Sequence, residues 1–97
     1  MLLINSREIR LQKLFGGFGI PWSSVLLVTL ESRPTLVYDV AQLVISDGDR
    51  SIWVAEHAPE LDRLLPMLRE KLGVETEGLK TRMGGLDSSE TEVLYAA

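Results

Sequence analysis

The sequence predicts an α+β fold in which an antiparallel β-sheet of about five strands packs against a C-terminal leucine-rich helix, with a short second helix and a final strand. Runs rich in β-branched and aromatic residues are separated by turn residues through the first half of the chain, and an Asp-Gly pair stands between two of them. Leucines then recur at three- and four-residue steps from Leu61 to Leu72. The length of 97 residues predicts a single domain, 1–97.

The first predicted strand covers Asn5 to Gln12, where Ile9 and Leu11 lie on one side and charged or polar residues on the other. The next stretch, KLFGGFGIP at 13–21, contains three glycines and a proline, which terminate regular structure. We therefore predict a turn over these residues.

Two longer strands are predicted at 22–31 and 37–46, joined by a loop at 31–36 that contains a proline. Both strands are apolar on two faces. In the first, the residues on one side are Leu26, Val28 and Leu30, and those on the other are Val25 and Leu27. A sheet that meets water on one side should alternate, so the second face is predicted to have a cover as well.

A β-hairpin is predicted where Asp47 and Gly48 separate LVIS from SIWV, because glycine accepts the positive φ of a tight turn. The strand that follows covers 51–54. A calcium loop is excluded because Ala58 stands where the closing glutamate of that motif would be.

The main helix is predicted to begin at Pro59, which lacks an N–H that a helix start leaves free in any case, and to end at Gly73. Its apolar stripe consists of Leu61, Leu64, Leu65, Leu68 and Leu72. Pro66 removes an interior hydrogen bond, so we predict a kink or a break into two pieces.

A second, short helix is predicted at 77–83, with Thr76 as N-cap and Gly84 as terminator. A polar loop at 87–90 and a last strand at 91–95 complete the predicted order.

Both tryptophans lie within predicted strands. Large aromatic side chains in strands usually fill a core and only occasionally form a ligand platform. Trp22 and Trp53 are therefore predicted to be core residues.

The net charge of −4 disfavours nucleic-acid binding, which needs clustered lysine and arginine. The one basic concentration consists of Arg7, Arg10 and Lys13, and it is as typical of a solvated strand as of an anion site. The overall charge likewise disfavours binding of lipid headgroups.

The absence of cysteine excludes disulfides and thiolate chemistry and favours the cytoplasm. The opening MLLINS lacks the basic start and long apolar stretch of a signal peptide. The longest apolar run, Val25 to Val28, predicts no membrane span.

Catalytic, metal and cofactor sites are not predicted. The glycines at 16–19 are not followed by the Lys-Ser/Thr pair and helix of a phosphate loop. His57 could act as a general base at its strand-to-helix junction, but the sequence offers it neither a cysteine to activate nor a second histidine with which to share a metal. We interpret it as a polar junction residue.

The order of elements, together with the IPW opening at 20–22, the VAE strand end at 54–56 and the Met-Gly step at 83–84, resembles a group of small bacterial proteins of unknown function with a pleckstrin-homology-like (PH-like) sheet and helix. The resemblance covers about Ile9 to Tyr95 and implies a fold, not an activity. A full PH barrel has seven strands and a closing helix, whereas five strands are predicted here, so a partial barrel is expected. The stretch RLQKLFGG from Arg10 lacks the Arg-x-Arg pair of phosphoinositide-binding members, and lipid binding does not carry over.

Two functions follow from these observations. The first is a non-catalytic protein-interaction or scaffold module that self-associates through its sheet, as a homodimer, or holds another protein partner, because incomplete sheets have unpaired edges and two-faced strands need a second cover. The alternative is a small-ligand-binding protein or enzyme with a pocket near Gly16–Gly19 and His57.

Overall fold

The structure is a computed structural model, and it describes residues 2–34, 39–86 and 90–97. The described residues contain seven strands, two α-helices and one 3₁₀ turn. The strands are β1 Leu2–Ile4, β2 Glu8–Lys13, β3 Gly16–Pro21, β4 Leu27–Pro34, β5 Asp39–Ser46, β6 Ser51–Ala55 and β7 Thr91–Ala96. The helices are α1 Leu61–Leu72 and α2 Leu79–Gly84, and the 3₁₀ turn is Trp22–Ser24.

The strands form two antiparallel sheets, one in the order β1-β2-β3 and one in the order β6-β5-β4-β7. Among the described residues neither sheet closes into a barrel. The α+β class, the antiparallel pairing and the two helices are therefore confirmed. The prediction of one five-stranded sheet is wrong in its detail.

The extra strands are the ones whose sequence signal is weakest. β1 has only three residues, too few to show a period. β3 occupies most of the stretch predicted as a turn, because only Leu14 and Phe15 turn and the glycines after them pair with β2. A Cβ at position 17 would clash with the Leu11 carbonyl oxygen, so glycine lets these two backbones lie side by side.

The predicted strand at 22–31 begins later than expected. Trp22 starts the 3₁₀ turn instead, with its side chain buried and its indole N–H donating to the Asn5 carbonyl oxygen at 2.8 Å. β4 starts at Leu27 and runs on through Glu31 to Pro34, where a loop was predicted. The predictions for 35–38 and 87–89 fall outside the described residues.

One hydrophobic cluster joins both sheets and both helices. The cluster residues of the four-stranded sheet that are at most 4% exposed are Val28, Leu30, Ala41, Leu43, Ile45, Ile52 and Val54. We call this the inner face. The small sheet adds Ile9 and Ile20, which pair with each other across β2 and β3 and are both 0% exposed.

Helix α1 is continuous through Pro66, so the predicted break is absent. Leu64 and Leu68 lie on either side of the proline and are fully buried in the core. Their burial, worth about 1.5–3 kcal/mol each, offsets the roughly 3 kcal/mol that an interior proline costs.

The ends of the helices agree only in part with the predictions. α1 begins at Leu61, two residues after Pro59, and ends as predicted at Gly73, whose φ is +71°. Thr76 is not the N-cap of α2: that helix begins at Leu79 after Gly78, and the Thr76 carbonyl accepts the Leu79 N–H at 3.2 Å. A loop therefore replaces the first turn that had been predicted.

The Asp-Gly hairpin between β5 and β6 is confirmed. Asp47 Oδ1 accepts the backbone N–H groups of Arg50 at 2.7 Å and Asp49 at 2.9 Å, and Gly48 has a φ of +96°. The two backbone N–H groups, that of Arg50 first, hold the pKa of the Asp47 carboxyl below its usual value. The Arg50 guanidinium also lies over the Phe18 ring, 4.9 Å from its centre, which ties this hairpin to the small sheet.

We expect Gly17→Ala to lower the free energy of unfolding by about 1–3 kcal/mol, because of the clash with Leu11 and a φ of +151°. Gly84→Ala is the matched control. Position 84 lies in a helix with open space around it, so alanine should leave stability unchanged or raise it by up to about 1 kcal/mol. Urea unfolding of both variants measures the difference, and equal effects would contradict the close pairing of β2 and β3.

We expect the stabilisation from Asp47 to depend on pH. A carboxyl whose pKa is lowered by folding stabilises the protein above its ordinary pKa and loses that effect as the pH falls through its folded pKa. The melting-temperature difference between wild type and Asp47→Ala should therefore be largest at about pH 7 and shrink towards about pH 3. Asp49→Ala, in the same turn, serves as the control, and a difference that grew with acidity would contradict the assignment.

Candidate functional site

A row of four side chains crosses the four-stranded sheet on the face opposite the core. Register places Trp53 beside Val44, Val44 beside Thr29, and Thr29 beside Val93, one residue from each strand. We call these four residues the outer row. The central pair is buried, with Val44 8% and Thr29 5% exposed, whereas the ends are open, with Trp53 57% and Val93 60% exposed.

The surroundings of the outer row are apolar on one side and polar on the other. Leu27 precedes Thr29 by two residues, lies on the same face and is 38% exposed. Glu31 follows Thr29 by two residues on the same face, and it forms no ion pair with any described residue. The result is a row that is apolar and open at its two ends, buried at its centre, and flanked by the Glu31 carboxylate.

The positions of these side chains partly confirm the prediction that the strand at 22–31 is apolar on both faces. Val28 and Leu30 do face the core, and Leu27 does face away from it. Leu26 was predicted to lie on the same side as Val28 and Leu30, but it is 50% exposed. The reason is that β4 starts at Leu27, so strand alternation does not apply to the residues between the 3₁₀ turn and β4. Val25 is buried for the same reason.

Trp53 corrects a second prediction, since it was expected in the core. Its neighbours along β6 are Ile52 and Val54, which are 1% and 3% exposed, so alternation along the strand places Trp53 outside. The I-W-V order contained this signal, and the size of the tryptophan side chain was the wrong guide. Trp22 is buried as predicted, although in the 3₁₀ turn.

A second exposed apolar feature went unrecognised in the sequence. Leu14 and Phe15 form the turn between β2 and β3 and are 90% and 96% exposed, with the positive φ of Gly16 (+103°) completing the turn. We call Leu14 and Phe15 the hairpin tip. Lys13 beside it is exposed and forms no ion pair with a described residue.

Arg10 and Arg7, the other two basic residues in this part of the chain, differ from Lys13 in their surroundings. Arg10 Nε lies 3.0 Å from Glu8 Oε1, and Gly19 beneath leaves room for both side chains, since a Cβ there would clash with the Glu8 carboxylate. An open groove of about 320 Å³ is lined by Arg10, Lys13, Gly16 and Gly17, among others. Arg7 lines a separate groove of about 490 Å³.

His57 lies apart from these grooves. It is exposed in the turn after β6, and it lines neither of them nor the open groove of about 600 Å³ beside Pro66 in α1. The alternative function predicted from the sequence has a pocket near the glycines at 16–19 and His57. Gly16 and Gly17 line the groove of about 320 Å³ together with Arg10 and Lys13, and His57 does not line that groove.

Searches of the described residues for two other features gave negative results. In 2–34, 39–86 and 90–97 no three His, Cys, Asp or Glu side chains come together to hold a metal ion. Helices within the same ranges are too short or too polar to cross a membrane.

Comparison of the chain with models of known protein families, with curated proteins and with solved structures found no match. The site is therefore interpreted from its own geometry.

We expect the two tryptophans to differ in their access to solvent, because Trp53 is 57% and Trp22 5% exposed. Replacing Trp53 by phenylalanine should leave a blue-shifted emission that acrylamide quenches severalfold less than it quenches the wild type. The comparison should be made at low protein concentration, where association does not shield either ring. Unchanged quenching in Trp53→Phe would contradict the outward position of this side chain.

Proposed function

We propose that this protein is a non-catalytic interaction or scaffold module that self-associates through the outer face of its four-stranded sheet. The observation that carries the proposal is the outer row, in which Trp53 and Val93 remain open to solvent at the two ends of a row whose centre is already buried. Exposed tryptophan is costly in a monomer and is enriched at protein interfaces.

The size of this apolar surface sets the strength expected of the contact. Full burial of the exposed parts of Trp53, Val93 and Leu27 contributes at most on the order of 7 kcal/mol per copy at about 25 cal/mol per Å². Association costs roughly 4–15 kcal/mol in lost freedom of motion. The difference between these two free energies favours a dissociation constant in the micromolar range or weaker. The extent of assembly should therefore depend on the protein concentration.

The alternative is a small-ligand-binding protein or enzyme. What supports it is the groove beside Gly16 and Gly17, whose lining includes the basic side chains of Arg10 and Lys13 and would suit a small anion. The groove is open, and His57 does not line it. We therefore rank this function second.

The relationship to PH-like bacterial proteins and the cytoplasmic setting are further parts of the proposal. Two antiparallel meanders, β1-β2-β3 and β4-β5-β6, followed by a leucine-rich helix, support the relationship. The absence of cysteine supports the compartment.

We expect sedimentation velocity of the wild type, from about 10 µM to about 1 mM, to show a sedimentation coefficient that rises with concentration. Trp53→Thr with Val93→Thr should abolish the rise, because threonine keeps the β-branched shape that strands favour but removes the apolar surface. Leu3→Thr is the matched control, since Leu3 is 37% exposed on the small sheet. A wild type that remains monomeric throughout would refute the proposal.

A further inference from the structure

The hairpin tip and the outer row, two exposed apolar features among the described residues, differ in shape and in charge, and this difference bears on how copies assemble. The hairpin tip is a projection of two side chains beside a lysine, and the outer row is a strip beside a glutamate. We propose that association is head-to-tail: the hairpin tip of one copy docks on the outer row of the next. This inference rests on the proposed self-association and names the surface that the sheet binds.

The hairpin tip has the properties of a docking element. Leu14 and Phe15 are 90% and 96% exposed, so the fold gains almost nothing from their apolar surface. The two side chains are nevertheless presented on a defined hairpin, because Lys13 pairs with Gly16 directly behind them. A short two-residue turn loses little conformational freedom on binding, which favours a contact through it.

Charge selects the head-to-tail arrangement over a two-fold symmetric one. A symmetric contact through the outer row would bring together the net negative part of each copy, residues 22–97, and like charges repel. When the tip docks on the row instead, Lys13 comes towards Glu31. Both side chains lack an ion-pair partner among the described residues.

The distribution of charge along the whole chain agrees with this pairing. Residues 1–21 carry three basic and one acidic side chain, and residues 22–97 carry seven basic and thirteen acidic ones. The net charges of +2 and −6 add to the −4 of the chain. A basic small sheet and an acidic remainder attract each other between copies, and this attraction also speeds their encounter.

The assembly follows from the placement of the two features. The tip lies on one sheet and the row on the other, so each contact joins two different surfaces. Such an interface is heterologous, and where the two surfaces of a copy engage different neighbours it builds rings or open chains.

The test mixes two variants that are each defective in one surface. The tip variant carries Leu14→Ser and Phe15→Ser, and the row variant carries Trp53→Thr and Val93→Thr. Each variant alone should sediment as a monomer at concentrations where the wild type forms species larger than a dimer. An equimolar mixture should form a dimer and stop there, because the intact tip of the row variant docks on the intact row of the tip variant and no second docking is possible.

The possible failures are distinguishable. A tip variant that associates like the wild type would overturn the head-to-tail arrangement and leave association through the sheet standing. A wild type that stays monomeric would overturn both proposals. If that monomeric wild type pellets with anionic phosphatidylserine vesicles and the tip variant does not, the tip is assigned to a lipid surface instead.

Charge reversal provides a second readout with both apolar surfaces intact. Lys13→Glu or Glu31→Lys alone should weaken association by about two- to fivefold, and the chain that carries both should recover it. Circular dichroism and melting temperature confirm that each variant is folded. Failure of the double reversal to recover association would contradict the facing of Lys13 and Glu31.

Discussion

The four-stranded sheet buries one face against the core that the helices share, and because side chains alternate along a strand, this packing determines where every other side chain of the sheet lies. Ile52 and Val54 turn inwards with Leu43 and Ile45, so the residue between the first two must turn outwards. A shift of one position in any strand would exchange the two faces. The packing of the inner face therefore determines the positions of the outer-row side chains as well as those of the core side chains.

The small sheet is joined to the large one by the shared core and by the Arg50 guanidinium, which lies over the Phe18 ring. The indole N–H of Trp22 donates to the Asn5 carbonyl oxygen and holds the 3₁₀ turn against the small sheet. Leu14 and Phe15, in the turn at the far end of the β2–β3 hairpin, are exposed and contribute little to the core.

The sequence was most informative where one physical rule acts alone. The Asp47-Gly48 turn and the leucine stripe of α1 need only local geometry, and both were predicted. Tertiary context decided the rest: burial of leucines kept α1 continuous through Pro66, and glycines that appeared to break structure formed β3 against β2. Of the two exposed features, the outward position of Trp53 could have been derived from strand alternation. The exposure of Leu14 and Phe15 required knowing that their turn is only two residues long.

The pairing of β7 with β4 also has a kinetic consequence. Glu31 pairs with Thr91, so a loop of about 60 residues must close before this part of the sheet forms, whereas β4, β5 and β6 join through short connections. Local hairpins should form first and β7 should add late. Until it does, the backbone groups along one edge of β4 are unpaired and can recruit a strand from another chain. The time that β7 takes to pair with β4 therefore sets how long the folding chain is prone to aggregate.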